Sequence, residues 1–489
     1  MLITDDLLLN HQRCRRRSFL DTYGDLTKKD PPNDYALKLL EDKLFHERSL
    51  LTSELYPRPT HALDNWQRRG EETLKLMKQG VEKIQKPILH YTSSSGITLL
   101  SSPTLLIRQP GSSDLGKWYY TPVSVKFSKR PKLEYQIIAA FQALVLATTQ
   151  NSFPERAGLI LRNKRYYPVN LTTVLSEMQT LLSDCFNMLR SRSEPEVFIS
   201  RNRCSLCQWY GQCHGIARRE NHLSLIPGIT PSRYALLKQL HLTTVETIGQ
   251  LQIEVLQNLP GFSLDVADKL IHQAQSTLEN KPILRPMGIE YSQKLLAHCF
   301  ADPVELYFDI ESEPDQDLAY LHGVLIVNRL TREEKYHPLL AETADQEPQA
   351  WVGFLNLVHR YPTAPIFHFC SYEVRAVKQL ANRYGIAPHS VSNLINRFVD
   401  LHDWITRAVT LPIESYGLKP IAQWLGFKWR DDNADGIQSI YWYSQWQKTG
   451  ENSYRDLILR YNEDDCRATY HVKGWFMDFL NVNSQQKAP

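Results

Sequence analysis

Glu305-Leu-Tyr-Phe-Asp309-Ile-Glu311-Ser312 is an apolar run interrupted by two acids. Side chains alternate across a strand, so Asp309 and Glu311 fall on one face and both carboxylates can meet one metal ion. Two acids on an apolar strand are costly unless something compensates their charge, which makes a metal site the economical explanation. Downstream, residues 319–328 and 335–340 read as two more strands of a meander. A helix from Pro348, a strand over 365–370 and a helix from Tyr372 follow.

This order resembles the RNase H-like fold in its 3′–5′ exonuclease branch. Phe367-His368-Phe369-Cys370-Ser371-Tyr372-Glu373 stands where that branch carries its second acidic motif, with Glu373 in place of the usual Asp. Phe398-Val-Asp400 is a short apolar segment near the expected site, and Ser415-Tyr-Gly417 through Gly426 matches the helix before the last acid. Tyr461-Asn-Glu-Asp-Asp465 has the Tyr-x3-Asp spacing of the tyrosine subclass, which on a helix places both residues on one face. The resemblance implies two-metal phosphodiester hydrolysis: Asp309, Glu311, Glu373 and Asp465 hold two Mg²⁺ or Mn²⁺ ions roughly 4 Å apart, and Tyr461 orients the attacking water. Asp464 and Asp400 are further acids that could enter the site.

Cys204-Ser-Leu-Cys207-Gln-Trp-Tyr-Gly-Gln-Cys213 is a C-x2-C-x5-C trio able to point three sulfurs at one centre. Cys14, in His-Gln-Arg-Cys14-Arg-Arg-Arg, is the best fourth ligand, and the arginines beside it would offset thiolate charge. No signal peptide is expected, so a metal is favoured over a disulfide, with zinc and unliganded thiols as the alternatives. One distant cysteine plus a tight trio resembles the iron–sulfur staple of RecB-type nucleases, which implies a 4Fe-4S cluster on Cys14, Cys204, Cys207 and Cys213. Cys185, Cys299, Cys370 and Cys466 lack such spacing and are expected to be packed residues.

The chain before the trio is similar to the RecB-like nuclease family. Residues 98–108 read as a strand, Gly111 and Gly116 mark a hairpin, residues 118–127 a second strand, and residues 133–148 a helix. That is the core of the PD-(D/E)XK fold, whose chemistry needs an acid on each strand and a Lys two residues after the second. Here the acids align with Thr104 and Ser124, and only Lys126 remains. Hydroxyls are poor Mg²⁺ anchors, so this site should be catalytically inactive while Lys126 and its basic surroundings hold DNA. The following helix also departs from the family, with Ile138 and Gln142 at the aligned positions. A relocated acid such as Asp114 or Glu134 is the competing reading. Residues 34–51 form a helical pattern with apolar positions Leu37, Leu40, Leu44 and Phe45; its His46 reads as a partly exposed helical residue ahead of a metal ligand.

Between these regions, Leu225-Ile-Pro-Gly228-Ile and Leu259-Pro-Gly261-Phe each precede a helical pattern. The pair resembles tandem helix-hairpin-helix motifs, in which the glycine lets the hairpin approach a DNA phosphate. Residues 280–290, with Pro282 and Pro286, look like a boundary.

At 489 residues with 42% hydrophobic composition the chain needs several cores. Three domains are expected: 1–215 (PD-(D/E)XK with iron–sulfur cysteines), 216–285 (helix-hairpin-helix) and 297–483 (RNase H-like), an α/β multidomain chain. Net charge is only +3, but basic residues gather in the first half and acids in the second, as suits a nucleic-acid-processing protein. No apolar run approaches the roughly 18–20 residues of a spanning helix, so a soluble, cytoplasmic protein without membrane partners is expected. No Gly-Lys-Ser/Thr loop is present, so any helicase partner would be a separate chain. The favoured function is a DNA exonuclease acting on single- or double-stranded ends. The alternative is a non-catalytic DNA-binding or repair scaffold in which both nuclease folds are inactive.

Overall fold

Two β-sheets, one in each compact unit of the chain, carry the positions that matter. The computed structural model describes residues 1–51, 56–62, 65–94, 96–285 and 302–485. Cys299, residues 286–290 of the expected boundary and the expected domain start at 297 lie outside the described residues. The chain divides into one unit of Met1–Val197 with Arg201–Ile216 and a second of Phe198–Ser200 with Ala217–Pro489.

In the first unit, β1 (Leu2–Thr4), β3 (Leu89–Thr92) and β4 (Thr98–Ser101) form a small sheet in the order β1-β4-β3. A five-stranded sheet has the order β2-β5-β6-β7-β8, built from β2 (Lys83–Gln85), β5 (Leu105–Ser113), β6 (Gly116–Val125), β7 (Arg156–Ile160) and β8 (Tyr166–Asn170). The single strand expected over 98–108 is two strands, β4 and β5, separated at Ser102–Thr104. β5 and β6 form the expected hairpin, with a register break between Pro110 and Ser113. The helix Leu133–Gln150 is apolar nearly all round because it lies inside: Ile137, Ile138, Ala140, Phe141, Val145 and Leu146 are all buried.

The helix Asp34–Leu51 forms, but its expected apolar face is turned to solvent: Leu37, Leu40, Leu44 and Phe45 are exposed. Lys38, His46 and Leu51 are buried instead. Lys38 goes inward because its ammonium is paired with Asp42 one turn on, at 3.0 Å. His46 packs its ring 5.6 Å from that of Phe127, so it is buried rather than partly exposed.

In the second unit a sheet of order β12-β11-β10-β13-β14 comprises β10 (Val304–Glu313), β11 (Leu318–Asn328), β12 (Glu333–Leu340), β13 (Ile366–His368) and β14 (Phe398–Asp400). The first three form the antiparallel meander, whereas β13 runs parallel to β10 and β14 to β13. Period-two alternation sorts β10 cleanly. Leu306, Phe308 and Ile310 join Trp351 and Phe354 of the Glu347–His359 helix in one core; Tyr307 joins Cys466, Val472 and Phe476 of the Asn452–Gln485 helix in another. Asp309 and Glu311 therefore face the long helix, and a bulge follows directly after Glu311.

Ahead of this sheet, helices Pro231–Gln239, Val245–Gly249, Ile253–Gln257 and Leu264–Glu279 share a core of their own. The last is fastened to the segment that follows β14. Gln273 Nε2 donates to the Leu411 carbonyl at 2.6 Å while its Oε1 accepts from Tyr416, and β9 (Ile283–Leu284) pairs with β15 (Val409–Thr410).

Candidate active site and metal-binding residues

The long helix Asn452–Gln485 crosses the sheet so that its Asp465 meets the two acids of β10. Asp309, Glu311 and Asp465 each offer an oxygen within 4.8 Å of the others, the only such group of three potential ligands among the described residues. Burial raises all three carboxyls, and mutual repulsion adds to it. Glu311 is pushed up to about 8 by burial and by Asp465, and Asp465 up to about 7 by burial despite its hydrogen bonds. Asp309 stands well above the usual range through burial, Asp465, Glu311 and Glu373. Carboxylates that repel one another in a dry site are the arrangement a divalent cation relieves.

Tyr461 lies one turn before Asp465, buried, and hydrogen-bonds it, as the spacing predicts. Glu373 behaves differently. It is within electrostatic reach of Asp309 but outside the close group, and its Oε2 sits 3.3 Å from His368 Nδ1. The two spare acids go elsewhere: Asp400 caps the Leu401–Ala408 helix and accepts from the Cys370 N–H, and Asp464 is held by Arg430.

Sequence reasoning missed the groups that hold the acids. Trp429 Nε1 donates to Asp465 Oδ1 at 2.7 Å. Asn462 Nδ2 donates to Asp309 Oδ2 at 2.7 Å, and Ser439 hydrogen-bonds Glu311. Asn462 sat in view beside Tyr461; the partners of Trp429 and Ser439 lie far along the chain and leave no local pattern.

Fold and site define an RNase H-like domain carrying three acids placed to hold a metal ion, a combination that suggests nuclease-type chemistry on nucleic acid. Residues 306–477 match a family model of the RNase H superfamily, a span that includes all of the acids named above. No curated protein matches the chain.

In the first unit, Cys14 caps one helix and starts the next, its Sγ accepting from the Arg17 N–H at 3.4 Å. Cys14, Cys204, Cys207 and Cys213 are all half-buried and outside any disulfide. Burial pushes the Cys207 and Cys213 thiols up, with a contribution from nearby Cys14 in each case, while Arg16 hydrogen-bonds Cys213 and opposes the shift. Of the remaining cysteines, Cys185 and Cys466 are buried and Cys370 is half-buried.

At the PD-(D/E)XK-like position the hydroxyls are occupied. Thr104 Oγ1 accepts from the Val125 N–H at 3.0 Å, and Ser124 Oγ donates to Gln142 Oε1 at 2.9 Å. Gln142 Nε2 in turn donates to the buried Asp5. Lys126 is half-buried, 5.6 Å from the Tyr135 ring centroid and within electrostatic reach of Asp5. Glu134 is paired with Arg13, and Asp114 lies at the β5–β6 turn beside Asn151.

Gly228 and Gly261 both adopt positive φ, +93° and +80°, each just before a helix. One guanidinium joins them: Arg233 donates from Nη1 to the Gly228 carbonyl at 2.7 Å and from Nε to the Gly261 carbonyl at 3.1 Å. Arg233 is a further residue that the motif leaves out.

Proposed function

We propose that the RNase H-like domain is a metal-dependent 3′–5′ exonuclease that hydrolyses DNA phosphodiesters. The observation that carries this reading is the meeting of Asp309, Glu311 and Asp465 on the long-helix face of one sheet, within a matched RNase H superfamily segment. These three, with Glu373 at the margin, would hold Mg²⁺ or Mn²⁺. The donor set fits such ions, being oxygen-only and anionic. Bound there, the ions supply an activated water and stabilisation of the leaving oxygen.

The chain's own groups do the rest. Tyr461, kept protonated by burial and by the neighbouring acids, directs its hydroxyl at Asp465, where it would orient an attacking water. Trp429 holds Asp465 Oδ1 and so orients the carboxylate. Behind Trp429 lies a cavity of about 250 Å³ lined by Lys419, Phe427 and Lys428 among others, a basic and aromatic wall suited to a nucleic-acid strand.

In this reading the paired hairpins grip DNA through the free N–H groups at Gly228 and Gly261, without base preference. The first unit is an inactive PD-(D/E)XK domain that binds DNA near Lys126; the internally satisfied Thr104 and Ser124 hydroxyls support its inactivity. Cys14, Cys204, Cys207 and Cys213 would hold a 4Fe-4S cluster, supported by the charge of Cys14 felt at Cys207 and Cys213 and by Arg16 and Arg17 beside them. Zinc is the competing occupant.

The observation favouring a second reading, a DNA-binding scaffold, is the contact of Glu373 with His368 rather than with the other acids. Metal-dependent shortening of an end-labelled strand decides between the two.

A further inference from the structure

Asn462 follows Tyr461 on the long helix and is fully buried. Its Nδ2 donates to Asp309 Oδ2 at 2.7 Å, and its side chain also hydrogen-bonds Glu311. Its Oδ1 accepts from the Tyr336 hydroxyl of β12 at 2.7 Å. The chain of contacts runs through a gap in β11. Gly323 pairs with Asp309 in register, and a Cβ there would stand 1.6 Å from Asn462 Oδ1 and 2.9 Å from the Tyr336 hydroxyl.

These contacts fix the amide one way round. A phenol at neutral pH has one proton to donate, and carboxylates ionised around a cation can only accept. Turning the amide over would set its oxygen against Asp309 and its NH₂ against the phenol proton. The tie is also neutral. An arginine or lysine in the same place would bind the acids more strongly but would cancel the charge that attracts a cation. An amide orders them and leaves that charge intact, and one donated hydrogen bond occupies only part of a carboxylate's acceptor capacity.

We propose that Tyr336 and Asn462, threaded past Gly323, form a positioning relay that presents Asp309 and Glu311 to a divalent cation. Asn462 is a positioning residue, acting through the two acids and touching no reacting atom. The inference rests on the metal-dependent reading of the site.

The test is Mn²⁺ titration of the full-length chain, followed by electron paramagnetic resonance of free Mn²⁺, for wild type, Tyr336→Phe and Asn462→Ala. Melting temperature is measured in EDTA alongside. Tyr336→Phe removes one oxygen and nothing else, so it keeps the test open if Asn462→Ala fails to fold. The relay predicts that each folded variant binds Mn²⁺ at least tenfold more weakly than wild type, and that raised Mn²⁺ restores part of any lost hydrolysis. A lowered melting temperature with unchanged Mn²⁺ affinity would make the contacts merely structural and overturn the inference. A wild type that takes up no Mn²⁺ would overturn the metal-dependent reading itself, and the relay with it.

Discussion

Trp429 donates its indole N–H to Asp465 across 36 residues of chain, at 2.7 Å, and so orients the one carboxylate of the triad that comes from a helix. A hydrogen bond to a charged group contributes about 1.5–3 kcal/mol. Trp429→Phe keeps the packing and loses the donor. It should weaken Mn²⁺ binding by roughly tenfold or more and reduce hydrolysis at limiting metal, as read by titration and initial rates. Unchanged metal affinity in Trp429→Phe would remove Asp465 from the ligand set.

The metal-free triad should make stability fall as pH rises. Glu311 at about 8 and Asp465 at about 7 in the folded protein stand above their ordinary values of 4.5 and 3.8. The folded state therefore holds more protons than the unfolded one between about pH 4 and 8. The stability these groups contribute is fully present below that window and is lost as pH climbs through it. In EDTA, thermal unfolding of the second unit should occur at lower temperature at pH 8 than at pH 5.5. Mn²⁺ at pH 8 should reverse the loss, and Asp309→Asn should flatten the dependence. A melting temperature indifferent to both pH and Mn²⁺ would contradict the site.

His322, on the opposite face of the same sheet, is fully buried among Phe308, Trp351 and Phe354 with neither ring nitrogen hydrogen-bonded. Burial lowers it to about 4 from the ordinary 6.5. Its contribution is present above pH 6.5 and is lost as pH falls toward 4, where the unfolded chain takes the proton first. His322→Met should stabilise the domain at neutral pH, by about 1–3 kcal/mol for the desolvated nitrogens less any packing cost, and reduce acid sensitivity in this window. Denaturant melts at pH 7 and 5 measure both.

Anaerobically purified protein should show the broad visible absorbance of an iron–sulfur cluster, and Cys14→Ser or Cys204→Ser should remove it and lower the first unit's resistance to proteolysis. A colourless protein containing one equivalent of zinc would replace iron with zinc at the same four thiols.

Arg233 holds the two hairpin carbonyls of Gly228 and Gly261 together. Arg233→Ala should weaken binding to duplex DNA severalfold at low salt while leaving hydrolysis of a short single strand near the wild-type rate. Equal DNA affinity would leave the hairpins without a role in binding.

Much of this architecture was legible in local pattern. Period two on β10 put Asp309 and Glu311 on one face, and the four-residue spacing of Tyr461 and Asp465 put them on one side of a helix. Each of those relations is set within a few residues. What escaped was set by contacts across the fold: Trp429 on Asp465, Tyr336 on Asn462, and the gap at Gly323 that lets them through. The helix Asp34–Leu51 shows the other limit. Its periodicity was genuine, yet Lys38 turns inward to pair with Asp42, His46 turns inward to pack on Phe127, and Leu40 and Phe45 face out. Glu373 occupies the expected motif, but motif spacing carries no information about His368, which its carboxylate contacts.

The measurement closest to the central claim is the degradation of end-labelled single- and double-stranded DNA by wild type, Asp309→Asn and Asp465→Asn, with Mn²⁺ and with EDTA. The account predicts Mn²⁺-dependent shortening from the 3′ end by wild type, none in EDTA, and none by either variant, while all three still bind DNA. Shortening that survives both substitutions, or intact DNA that wild type binds but never cuts, would contradict it.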